Sequence, residues 1–70
     1  LRLLEDIIDK LVTLKNQGRT ILLIEHNMDL VMEISDEVIV MSAGMVIARG
    51  QPTEIQKNAE VLEAYLGNNA

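Results

Sequence analysis

Apolar positions open the chain at helical intervals. Leu4, Ile7, Ile8, Leu11 and Leu14 fall on one stripe, while Glu5, Asp6, Asp9 and Lys10 stand away from it. The spacing predicts a helix over residues 1–17, stopped at Asn16-Gln17-Gly18 with Gly18 as a left-handed cap. The pattern then changes. Ile21 to Ile24 are four consecutive aliphatic residues without alternation, the signature of a strand buried on both faces, as in a parallel sheet. That strand is expected over 20–26 and runs directly into Glu25 and His26.

Asn27 can cap a short helix over 27–36, with Asp29 near its positive end and Leu30, Val31 and Ile34 on its apolar face. A second aliphatic run, Val38 to Met41, is followed by the turn Ser42-Ala43-Gly44 and a returning arm, Met45 to Ala48. Together they predict a hairpin over 37–50, ended by Gly50. Met41 and Met45 are expected to fill core gaps, and Met32 to be partly exposed. Pro52 suits the first turn of a further helix, and Asn58 can cap a last one carrying Val61, Leu62, Tyr65 and Leu66. These fill 52–67, closed by Gly67. The order helix–strand–helix–strand–strand–helix–helix means an α/β fold, with a parallel pair followed by an antiparallel edge.

Composition narrows the picture. A chain of 70 residues buries only about 60% of the surface its unfolded form exposes, so its own core is marginal. It has no cysteine and no metal-ligand cluster to compensate. Nearly half of it is hydrophobic, which is rich for this length, and Tyr65 is its single aromatic residue. Some of that apolar surface is expected to meet protein outside the 70 residues. The formal charge of −5, with six scattered basic residues, argues against nucleic acid as a partner. No apolar run approaches the roughly 20 residues needed to span a bilayer. The first residue is Leu1, inside a helical pattern, so the chain is expected to be a piece of a longer polypeptide.

The chemistry centres on His26, the only histidine. A lone histidine is more often a hydrogen-bonded loop residue than a functional one. Its place changes that, because polar side chains at the carboxyl end of a buried strand sit where open α/β sheets bind ligands. Glu25 beside it is not expected to form a dyad, since successive strand residues point to opposite faces.

The stretches ILLIEHNMDLVMEISDEVIVM, SAGMVIARGQPTEI and NAEVLEAYLG carry a family likeness. They resemble the C-terminal part of the ATP-binding subunits of ABC transporters, the branched-chain amino acid importers above all. The resemblance implies a partial P-loop NTPase sheet, with 1–17 as the helix after the D-loop and 20–26 as the H-loop strand. It makes His26 the switch histidine, which contacts the γ-phosphate of ATP held between two subunits. The choice of residue is physically sensible: imidazole donates to a phosphate oxygen and its protonation responds to that charge. The catalytic glutamate of the family lies in a segment not present here, which leaves Glu25 a structural role.

The likeness further implies ATP and Mg²⁺ as cofactors of the full-length parent, with a second ATPase subunit and membrane permease subunits as partners. It implies a cytoplasmic place on the inner face of the membrane. The phosphate loop G-x-x-x-x-G-K-[ST] is absent from these residues. One histidine contributes a charge-assisted hydrogen bond of about 1.5–3 kcal/mol. Micromolar affinity needs roughly 8 kcal/mol, so the chain alone is not expected to bind or hydrolyse ATP. In the resembled fold the phosphate-loop strand separates residues 21–25 from residues 38–41. Without it, self-association is expected to cover the exposed strands. An alternative reading is a free-standing, non-enzymatic oligomerisation or interaction module.

Overall fold

The computed structural model describes residues 2–66. The expected closure at Gly67 falls outside them, as does Leu1. Helix α1 runs Arg2–Asn16 and α2 runs Met28–Ile34. Strands β1 (Val38–Ser42) and β2 (Met45–Gly50) form an antiparallel pair. Two short helices follow, α3 (Pro52–Gln56) and α4 (Ala59–Val61), and the chain then widens into a π turn over Leu62–Leu66.

Local signals set most of the boundaries. Gly18 takes φ 87°, and its N–H and that of Arg19 donate back to the carbonyls of Lys15 (3.0 Å) and Leu14 (3.2 Å). That double closure satisfies carbonyls the helix end would leave bare. Asn27 Oδ1 accepts from the Leu30 N–H at 3.2 Å. Asn58 Oδ1 accepts from both Glu60 and Val61. Pro52 opens α3, and the Gln51 N–H donates to Glu54 Oε1 at 2.8 Å.

The core is small. Val38, Val40, Ile55 and Val61 are buried together, with Val31, Met32, Ile47 and Ala48 packed around them. Leu30 of α2 is buried as well. One face of the hairpin thus rests on α2, α3 and α4. A bulge at the middle of the hairpin tunes that face: Val40 opposes Ala48, whereas Met41 opposes Val46, leaving Ile47 extra on β2. The additional residue lets Ile47 and Ala48 both face the core and turns Val46 outward with Met41.

Ser42 and Met45 close the hairpin around Ala43 (φ 52°) and Gly44 (φ 77°). Both central residues are left-handed, as a type I′ turn needs. Ala43 bears a Cβ in that region, at a cost of roughly 1–2 kcal/mol. Ala43→Gly is therefore expected to stabilise the chain by about 1 kcal/mol, read as a higher urea midpoint. An unchanged or lower midpoint would show that the turn is not held in this conformation.

Three expectations are corrected. The strand over 20–26 does not form: residues 19–27 follow an irregular path, with Leu22 86% and Ile24 87% exposed. A strand takes its hydrogen bonds from neighbours, and the aliphatic run has none among the described residues. The parallel pair is accordingly absent, and the sheet is the two-stranded hairpin alone. The described chain is mixed helix and antiparallel sheet, without the first strand of the expected order. Met41 and Met45 lie exposed on the hairpin, because Met41 alternates outward from buried Val38 and Val40 and Met45 stands at the tip. Met32 is half-buried, as expected.

Helix α1 also departs from the simple amphipathic picture. None of its residues is fully buried; only Ile8, Leu11 and Lys15 are half-covered. Its main attachment is polar. The Lys15 ammonium donates to the Ile34 carbonyl at 3.1 Å and pairs with Asp36 at 2.9 Å. A cation suits that place, where α2 ends in unpaired carbonyls.

Candidate functional site

The candidate residue sits where the irregular segment meets α2. Asn27 draws the backbone into the helix by accepting from Leu30, and its carbonyl accepts the Val31 N–H at 3.1 Å. Glu25 organises the residues just before. Its Oε1 accepts the His26 N–H at 3.0 Å and the Asn27 N–H at 3.3 Å. The carboxylate therefore holds the main chain of His26, and the imidazole is bonded to no group among the described residues. Glu25 and His26 form no dyad. That agrees with the structural role expected for Glu25, although the backbone is irregular rather than a strand.

His26 is exposed. The sequence places it at the carboxyl end of a buried strand; here it stands at the end of an extended, solvated segment. The physical difference lies in what surrounds it. Its main chain is fixed by Glu25 and Asn27, but no second element among the described residues covers the ring.

The described residues do not by themselves fit ATP with Mg²⁺. They contain no group of three or more His, Cys, Asp or Glu side chains able to hold a metal. No glycine-rich loop is present to wrap phosphates with N–H groups. A shallow open groove between α2 and α3 is lined by Met28, Asp29, Met32, Glu33 and Gln56. Its two carboxylates make it unsuited to an anion.

Two polar contacts escape sequence reasoning. Arg49 and Glu37 pair across the hairpin at 2.7 Å, and the hydrogen bond to Glu37 followed by its charge raises the Arg49 pKa. The Tyr65 hydroxyl donates to the Met41 carbonyl. The single aromatic residue is a signal for the second, but its partner is set only by how the C-terminal turn packs.

Comparison with known proteins is specific. The family model described as branched-chain amino acid ATP-binding cassette transporter matches residues 45–70. The high-affinity branched-chain amino acid transport ATP-binding protein LivG of Salmonella typhimurium is 50% identical over 62 residues, covering 86% of this chain and 24% of LivG. The corresponding BraF of Pseudomonas aeruginosa is 52% identical over 48 residues, 69% of this chain and 19% of BraF. The energy-coupling factor transporter ATP-binding protein EcfA2 of Mesoplasma florum is 54% identical over 48 residues, 69% of this chain and 15% of EcfA2. The chain thus spans about a quarter or less of the length of these relatives. No solved structure matches.

Proposed function

From the premise that this chain belongs to the ATP-binding subunits of branched-chain amino acid ABC transporters, we propose that it supplies their switch histidine, His26. In the full domain the His26 imidazole donates a hydrogen bond to the γ-phosphate of ATP. The remaining contacts to ATP and Mg²⁺ come from protein beyond these residues. The full-length subunit pairs with a second ATPase subunit and with membrane permease subunits, on the cytoplasmic face of the membrane. Among the described residues no helix is long and apolar enough to cross a membrane.

The observation that carries this reading is the free imidazole of His26 on a main chain pinned by Glu25 and Asn27. A ring already bonded to its own chain would have to break that bond to reach a ligand. This one makes no such bond among the described residues. The 70 residues alone do not bind ATP, and they cover their bare aliphatic surface by associating with themselves.

One experiment tests the reading in both contexts. The NMR signals of the His26 ring are followed during titration with a non-hydrolysable ATP analogue and with ADP. In the full-length subunit they shift with the analogue and much less with ADP. In the 70-residue chain they stay fixed. A ring in the full-length subunit that responds equally to both nucleotides overturns the assignment.

A further inference from the structure

Helix α2 is seven residues long and is held at three places. Asn27 caps its start, Leu30 is buried at its middle, and Lys15 of α1 grips its end. Only the last grip comes from a distant part of the chain. The Lys15 ammonium donates to the Ile34 carbonyl at 3.1 Å and lies 2.9 Å from Asp36 Oδ1. That carbonyl belongs to the last residue of α2 and accepts no backbone N–H among the described residues. A cation there meets the negative end of the helix and a carboxylate together. Both side chains are largely in solvent, so as an ion pair alone the contact adds little stability. Its value lies in what it holds in place.

Leu30 stands four residues after His26 and four before Ile34. With a rise of about 1.5 Å per residue, the buried leucine is a fulcrum with arms of roughly 6 Å. A tilt of α2 about it moves Ile34 and His26 by similar distances in opposite directions. The main chain of His26 follows the helix, because Asn27 caps α2 and Glu25 ties His26 to Asn27. The ring is exposed and has no hydrogen bond among the described residues to correct its aim. A misplacement of about 1 Å, even one caused far from the chemistry, can cost on the order of 10²-fold in rate.

We propose that Lys15 is a positioning residue for His26. By tying the end of α2 to α1 it sets the tilt of α2, and with it the reach of the imidazole toward the γ-phosphate. The inference rests on the switch role proposed above for His26. Both helices and both partners of the grip lie within these residues, so it needs no strand over 20–24.

The test uses the full-length subunit. Lys15→Met keeps most of the side chain's length and removes the amine. Lys15→Arg keeps a cation that can reach the carbonyl and the carboxylate together. Turnover by Lys15→Met is expected to fall roughly 3- to 30-fold, the range for coupling through residues that touch neither ligand. KM for ATP and the melting midpoint stay near wild type. The His26 ring signals shift less on adding a non-hydrolysable ATP analogue, and Lys15→Arg restores both turnover and shift. A lowered melting midpoint with unchanged ring shifts would make the contact merely structural and overturn the proposal. Wild-type turnover and ring shifts in Lys15→Met, where His26→Ala loses turnover, would overturn the lever and leave the switch role standing. Turnover kept by His26→Ala as well would overturn both.

Discussion

Replacing His26 by alanine in the full-length subunit is expected to cut ATP turnover by two to three orders of magnitude, with nucleotide affinity nearly unchanged. The size follows from the kind of contact proposed. A donor placed where charge develops in phosphoryl transfer is worth about 2.7–4 kcal/mol, or roughly 10²–10³ in rate. The same donor counts for little in binding, because the phosphates are gripped chiefly by groups outside these 70 residues. Phosphate release and nucleotide affinity, measured on one preparation, separate the two effects. Turnover within a few-fold of wild type would remove His26 from the reaction. A loss of affinity as large as the loss of rate would instead make it an ordinary binding residue. Because Glu25 holds only the backbone at this position, the substitution leaves those contacts intact.

Ile55→Ala is expected to abolish cooperative folding of the 70-residue chain. Ile55 is 2% exposed and Val61 is fully buried beside it, at the centre of a four-residue core. Truncating a buried isoleucine costs about 2–5 kcal/mol. A chain this small has only a few kcal/mol in total, on the order of 0.05–0.15 kcal/mol per residue. The deletion is therefore comparable to the whole stability. Thermal melting followed by circular dichroism should lose its sigmoid transition. Leu22→Ala, at an 86% exposed position, is the control and should melt within a few degrees of wild type in dilute solution. A sharp transition retained by Ile55→Ala would place the core elsewhere.

The sequence was most legible where a single residue does a local job. Gly18, Asn27, Pro52 and Asn58 each mark a boundary that the structure keeps, because caps and turns depend on few neighbours. The hairpin was legible for the same reason, its two aliphatic runs flanking a short turn. The run Ile21–Ile24 misled. Its composition says what a strand would bury, but a strand exists only when another lies alongside, and that depends on which residues share the molecule. The two hairpin methionines misled differently: Met41 falls on the outward side of β1 with Ile39 and Met45 stands at the tip, while one extra residue at Ile47 turns Val46 outward too. No composition or spacing announces such an insertion. For His26, only the helix cap that follows it was readable. Its solvated setting was not, because that follows from the missing strand.

The Lys15 contact has a consequence for how the molecule comes apart. With no fully buried side chain, α1 is moored mainly by one flexible amine at the far end of α2. Undocking it exposes almost no interior, so the first helix can swing free on the Gly18 pivot while the hairpin and its three small helices stay whole. Solvent deuterium would then enter α1 long before it reached β1, and neutralising the Lys15 amine would cast the helix adrift without melting the rest.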